Sequence, residues 1–427
     1  MSILNMIFEK KIFSNSAWMM LEKFLGIFGL IFVNSYMAKY IGPENFGKLA
    51  FATSIFVFVQ TFAWFGTQNI LFKRFSENVN SGIRLAFASQ VMRRLLFYIA
   101  SSIALTYLWI FSDSLTFIFG LGNCIASYFI VNDIFTIHNN SQLISIVNAL
   151  TNVVGLCLAL LLRFILVFFE ADASFMIFPI IIIAFIPYSL RKIYFFKKNK
   201  YIENIKNKRR YNQYLLTTGS SLVLSTLSIV LYTQISNIFL AKFSSFSDLG
   251  IYNVALTLGG AWGFINIALI TSYFSKIYAI SNKIQEIKYL RQIHLIVIGV
   301  AFFVFLGVLL FGAWLIQNLY GVDFVEAVKL LPYIVLATLL SALGTISYRY
   351  IIKLNGYKYL SIKMLVISLI SIPFSYLFIR NYGIFGAAYC FIAIEFLSLT
   401  IANYLFKNGC ILEMHLNTFG LNFKTKG

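Results

Sequence analysis

"AKYIGPENFG" runs from Ala38 to Gly47, and "AKFSSFSDLG" runs from Ala241 to Gly250. Each begins Ala-Lys-aromatic, ends in glycine after the same interval, and lies between two strongly apolar stretches. The shift that carries Ala38 onto Ala241 also aligns Lys39 with Lys242, Tyr40 with Phe243, Gly47 with Gly250 and Ala52 with Ala255. In the first copy Gly42-Pro43 predicts a rigid break at a membrane surface, where a freed backbone can meet water. On this reading Phe46 sits at the interface and Gly47 caps the turn.

The flanking stretches set the class. The chain has 427 residues, of which 60% are hydrophobic and only 11% charged, with a mean hydropathy of +0.82. A soluble domain of this length needs more polar surface to cover its core. The apolar blocks are roughly 18–25 residues long, enough to cross about 30 Å of hydrocarbon as helix. The expectation is an all-α polytopic membrane protein with about twelve transmembrane helices. They fall near 15–37, 49–67, 95–112, 115–137, 143–163, 174–190, 215–240, 251–275, 292–316, 331–352, 361–379 and 385–407. The opening apolar run follows basic residues but lacks a small-residue cleavage pattern, so it reads as a retained first helix.

Net charge is +19. The excess lies in loops, as the positive-inside rule expects, and no recognition module accompanies it, so nucleic acid is not the implied partner. With both termini cytoplasmic, inner loops collect roughly 25 Lys and Arg residues against about six outside. The longest basic run, Arg191 to Arg210, then becomes a cytoplasmic loop beside anionic headgroups. Cys124, Cys157, Cys390 and Cys410 are too scattered for a disulfide framework or a zinc site, and so are His138, His294 and His415. "FGKLAF" has a lone Gly-Lys without a phosphate-loop glycine before it, which removes an ATPase motor. No metal or cofactor is implied, and outer loops are too short for an extramembrane catalytic domain, so the chain does not read as an enzyme.

An even number of spans separates the two copies of the motif, so the halves share one orientation. They form a parallel repeat about an axis along the membrane normal. The expected division is 1–205 for the first lobe, with helices 1–6 and the basic loop, and 206–427 for the second, with helices 7–12 and a short tail. The stretch "SNSAWMMLEKFLGIFGLIFVNSYMAKYIGPENFGKLAFATS" (Ser14–Ser54) resembles the first two helices of the polysaccharide flippases of O-antigen type. These belong to the multidrug/oligosaccharidyl-lipid/polysaccharide exporter superfamily. "NIFLAKFSSFSDLGIYNVALTL" (Asn237–Leu258) is similar to that family's seventh-to-eighth helix turn. The resemblance implies a V-shaped bundle of two six-helix lobes in the bacterial inner membrane. It also implies export of undecaprenyl-diphosphate-linked oligosaccharide by alternating access, with glycan polymerase and ligase as possible partners.

Ionisable residues within spans are costly, about 2.5–3.5 kcal/mol near the centre, so they face protein, water or a partner. Here they are Glu22, Lys23, Asp133, Arg349, Lys363 and Glu395. Lys23 shares a helix face with Asn34, three turns on. Arg349 stands on a small, polar stripe with Thr345, Ala342, Ser341 and Thr338. Lys23, Asn34, Arg349 and Lys363 are the candidates for diphosphate and sugar, since both cations suit phosphate. Glu395 has no Lys or Arg one turn away and must pair elsewhere, face water or be protonated. Glu395 and Glu22 are the candidates for coupling to H⁺ or Na⁺. Asp133 reads as a boundary residue, while Gln60, Asn148, Asn152, Gln234 and Asn237 are further polar groups at span depth. The alternative functions are a cation-coupled multidrug extruder of the same superfamily and a membrane glycan polymerase or ligase.

Overall fold

The computed structural model describes residues 3–199, 208–280 and 282–418, and among them the chain is helical with no strand. Its helices are α1 (Ile3–Trp64), α2 (Thr67–Glu77), α3 (Val79–Ala88), α4 (Gln90–Phe111), α5 (Ser114–Asn132), α6 (Ile134–Ser141), α7 (Ser145–Phe168) and α8 (Ile177–Lys198). After these come α9 (Lys208–Phe243), α10 (Phe246–Gly260), α11 (Gly263–Ala279), α12 (Lys283–Leu319), α13 (Ala327–Lys353), α14 (Tyr357–Leu399), α15 (Ile401–Tyr404) and α16 (Cys410–Thr418).

Ten stretches of the described residues are long and apolar enough to cross a membrane. The last of them, Tyr357–Tyr404, is broken at Gly383 (φ 54°, ψ −129°) into two legs that overlay the expected 361–379 and 385–407. The expected first span, 15–37, falls in α1, where most side chains up to Asn34 lie outside the described residues. The protein is a multi-pass membrane protein. Its most apolar helix, α12, buries only 17% of its best window and exposes Phe303, Leu310, Phe311 and Trp314, as a lipid-facing helix does.

Two compact units emerge from the contacts: Met1–Ile41 with Lys48–Leu231, and Gly42–Gly47 with Tyr232–Gly427. In the first unit α8 packs along α7 and α5, and α2 against α3 and α6. In the second, α13 is central and touches α10, α12 and α14.

The small segment Gly42–Gly47 explains the motif pair. Gly42 breaks α1 at φ 77°, a value that only glycine adopts without strain, and Pro43 starts the next leg with the fixed φ suited to a first helical position. Its counterpart in the second copy, Ser245, breaks the chain differently, capping α10 by accepting a hydrogen bond from the Asp248 amide at 3.0 Å. Beyond each break lies a glycine, and the two approach each other reciprocally. A Cβ built on Gly47 would lie 1.7 Å from the Phe246 carbonyl oxygen, and one on Gly250 would lie 2.1 Å from the Pro43 carbonyl oxygen. Phe246 is itself the counterpart of Pro43, so each copy lays its glycine on the same point of the other. Gly47 is therefore a packing glycine inside a helix rather than a turn cap. Phe46 is buried, edge-on to Phe324 with ring centroids 6.2 Å apart, rather than at the interface, because the leg after Pro43 turns that face into the second unit.

The second unit ends in a buried cluster that includes Phe274, Leu290, Ile293, Ile346, Leu360, Ile411 and Met414, which docks α16 onto α12 and α13. His415 of α16 is held there by hydrogen bonds shared with the hydroxyls of Ser347 and Tyr404, each at 3.1 Å, and its ring lies edge-on to His294 at 5.5 Å. Burial, with the His294 ring adding to it, pushes the His415 imidazole down to about 3. A folded value below the ordinary one of about 6.5 means that the docked helix is fully stabilised above pH 6.5 and loses that stability as pH falls. The opening equilibrium of Cys410–Thr418 should rise about tenfold for each pH unit between 6.5 and 4. Hydrogen exchange of those amides, corrected for intrinsic rates, checks this; protection that stays flat across the range would contradict it.

Candidate functional site

The first leg of α14 carries Lys363, Ile367, Ser371 and Ser375 at four-residue spacing, so they form one buried stripe. Across the break at Gly383, the second leg returns Glu395 to the same region. Both ionisable side chains are 6% exposed. Lys363 Nζ donates to Asn403 Oδ1 at 2.8 Å, and Asn403, fully buried in α15, is oriented by its own bond to the Leu399 carbonyl at 3.0 Å. Glu395 accepts a hydrogen bond from Ser341 of α13 and interacts electrostatically with Lys363 and with Tyr232 of α9. Tyr232 packs against Ile367, Cys390 and Ile394. A seam of hydroxyl and thiol contacts runs on from there, Ser236 to Ser375 at 3.3 Å and Ser375 to Cys390 at 3.2 Å.

Taking either charge out of water alone costs several kcal/mol, and mutual attraction at low dielectric offsets part of it. Lys363 and Glu395 balance each other through a polar surround and do not form a direct ion pair within 4.0 Å among the described residues. Such a pair can take up a cation or a proton at the carboxylate, or shift its balance when an anion approaches the ammonium. The sequence supplied both residues but not their association. Asn403 and Tyr232 were not singled out at all, because neither is unusual in its own helix.

In the first unit the buried carboxylate of Asp133 is closed on a buried cation. Asp133 sits at the break between α5 and α6, accepts bonds from the amide (3.2 Å) and hydroxyl (2.9 Å) of Thr136, and pairs with Arg191 at 2.6 Å. Arg191 also donates to Thr151 at 3.1 Å and Asn152 at 2.8 Å. Asp133 is thus a helix cap and a buried ion-pair partner, and Arg191 is the pinned inner end of the basic run. Arg93 is buried too, donating to the carbonyls of Ala86 and Val131, with its guanidinium 5.0 Å from the Trp64 ring centre. Arg163 is likewise buried, and sequence reading passed over both. Asp133→Ala should lower unfolding stability by about 3–5 kcal/mol, because it leaves Arg191 buried without its carboxylate. Thermal unfolding in detergent measures it, and a loss under 1 kcal/mol would count against the pair.

Asn148 is fully buried in an amide network, donating to Asn140 at 2.8 Å and accepting from Asn139 at 2.9 Å. Gln234 accepts a bond from Asn237 at 3.1 Å. Gln60 donates to Ser127 at 2.9 Å and lines a cavity of about 280 Å³ with Thr61, Trp64, Gln68, Asn69 and Thr226. The turn at Phe65 and Gly66 (φ 46° and 68°) shapes it, pressed against Gly219 of α9. Trp64 Nε1 is buried there without a hydrogen-bond partner among the described residues. Arg349 is half-buried and donates to Thr271 at 3.0 Å. The side chains of Glu22, Lys23 and Asn34 lie outside the described residues.

The family described as "Polysaccharide biosynthesis protein" matches residues 12–277, more than half of the chain. The chain belongs to this family. Among solved structures, this family member is similar to an inward-facing multidrug resistance MATE transporter of the MOP superfamily, with a TM-score of 0.67 at 15% identity over 92% of this chain and 95% of that one. It is similar to the lipid II flippase MurJ in its inward closed conformation, with a TM-score of 0.66 at 16% identity over 97% and 94%. An outward-facing MATE transporter follows, with a TM-score of 0.57 at 13% identity over 96% of both chains. No curated protein sequence matches the chain. The fold is that of the MOP transporters.

Proposed function

We propose that the protein flips an undecaprenyl-diphosphate-linked oligosaccharide, the repeat unit of an O-antigen or capsule, from the inner to the outer leaflet of a bacterial cytoplasmic membrane. The observation that carries this reading is the family match joined to a transporter fold that the lipid II flippase MurJ also has. Two lobes rock about the repeat, with both termini cytoplasmic. Lys23, Asn34, Arg349 and Lys363 meet diphosphate and sugar, and Glu22 and Glu395 take up the coupling H⁺ or Na⁺. The arrangement around Lys363 supports this division, since an arriving diphosphate competes with Glu395 for the ammonium and leaves the carboxylate to be neutralised by a cation. The cavity of amides and hydroxyls beside Gln60 has the chemistry that holds sugar hydroxyls. Glycan polymerase and ligase would act on the delivered product.

A deletion strain tests the reading. Surface glycan should be lost while lipid-linked repeat units accumulate on the inner leaflet and drug susceptibility stays unchanged. Raised drug susceptibility with normal glycan would favour the multidrug extruder. Altered glycan chain length with export intact would favour a polymerase or ligase.

A further inference from the structure

The basic first turns of α4, the last turns of α5 and the basic last turns of α8 enclose a groove of about 750 Å³. Among the described residues three cations line it, Arg94 from α4 and Lys192 and Lys197 from α8, and no carboxylate does. The neighbouring acid, Asp133, is already bound to Arg191 at 2.6 Å. Arg94 is held in place through Nε, which donates to Asn132 Oδ1 at 3.2 Å. Aromatic rings form the walls, chiefly Tyr128, Tyr188 and Phe196, with Lys192 Nζ 5.8 Å from the Tyr188 ring centre. Lys192 and Lys197 are exposed at the rim.

Below the cations the surface changes character. Leu95, Ile99 and Ile103 repeat every four residues on α4, and each is more than half exposed. In a membrane-spanning helix such a stripe faces acyl chains. Cations and tyrosines at the helix ends, followed by an apolar track toward the bilayer middle, match an amphiphile with a charged head and hydrocarbon tails.

We propose that this groove is a binding site for the headgroup of an anionic phospholipid. The phosphodiester lies among Arg94, Lys192 and Lys197, and the acyl chains follow the Leu95 stripe. The lining suits a bilayer lipid: five of its ten described residues are aromatic, three are cationic, and among them there is no carboxylate or amide side chain. The occupant ties the basic end of α8, and the Asp133–Arg191 pair behind it, to the membrane surface.

The test uses full-length, delipidated protein in detergent, offered equal phosphatidylglycerol and phosphatidylcholine. Mass spectrometry of the intact complex counts the lipid retained. Phosphatidylglycerol should be preferred by at least about tenfold, given the free energy that each interfacial cation contributes. R94Q/K192Q/K197Q should lose the preference, while R94K/K192R/K197R keeps it; equal melting temperatures in phosphatidylcholine show that both fold. Millimolar inorganic phosphate should leave the lipid in place. A neutral triple variant that retains the preference would overturn the site, as would a wild type that holds both lipids equally. Displacement by free phosphate would also overturn it, by assigning the groove to a soluble anion.

Discussion

Gly47→Ala and Gly250→Ala are each expected to destabilise the protein by at least about 3 kcal/mol, well above the usual cost of a surface substitution. The reason is what the new methyl would meet. At 1.7 Å and 2.1 Å, the obstructing atoms are the backbone carbonyl oxygens of Phe246 and Pro43, which no rotamer change can move aside. Relief requires the two legs to separate, which undoes the buried contact of Phe46 with Phe324. The reciprocal geometry adds a second expectation. The double variant should cost less than the sum of the singles, because once the legs part both methyls find room. Gly307 on α12 is the control: nothing lies within 4 Å of its Cβ position, so Gly307→Ala should be neutral or slightly stabilising. Melting temperatures in a single detergent report all four variants. A Gly47→Ala protein as stable as wild type would refute the close approach.

Removing one member of the Lys363–Glu395 pair is the second large effect. Lys363→Met or Glu395→Ala alone leaves a buried opposite charge whose remaining partners are an amide or a hydroxyl. Each should cost about 3–5 kcal/mol. Lys363→Met with Glu395→Gln removes both charges and should cost less than either single change, with a coupling of about 1–3 kcal/mol. Both sites lie in the second unit, on the two legs of α14, so the cycle reads their direct interaction and the shared surround of Asn403, Ser341 and Tyr232. Strict additivity would mean that each charge is compensated independently, and the pair would then lose its place in the coupling scheme.

These two results also mark where sequence reading succeeds and where it stops. The motif pair was legible because its residues recur at one fixed spacing, and the two glycines that end it are the ones that meet. The role of Gly47 was misread, because a glycine after Gly-Pro looks like a turn cap when the partner helix is not yet in view. Helix existence was legible from hydropathy, since apolar length is a one-dimensional property. Partnerships were not: Asn403 lies 40 residues from Lys363, and Asp133 lies 58 from Arg191. Glu395 stood out in its own helix because it lacked a cation one turn away. The helix that supplies the cation is the other leg of α14, which comes alongside through a break at Gly383 that hydropathy registers only as a gap between spans. Arg191 was misread for a related reason, since a cation heading a basic run resembles its solvated neighbours until Asp133 is brought against it.

The most direct measurement of the central claim is flipping by the purified protein in sealed proteoliposomes. A defined polyprenyl-diphosphate-linked oligosaccharide is placed in the inner leaflet, and its arrival outside is read by an impermeant glycan-modifying enzyme. The expected result is protein-dependent appearance of the glycan outside, faster under an inward H⁺ or Na⁺ gradient and lost in Lys363→Ala. A rate equal to that of empty liposomes under every gradient, with the same protein expelling an organic cation, would contradict it.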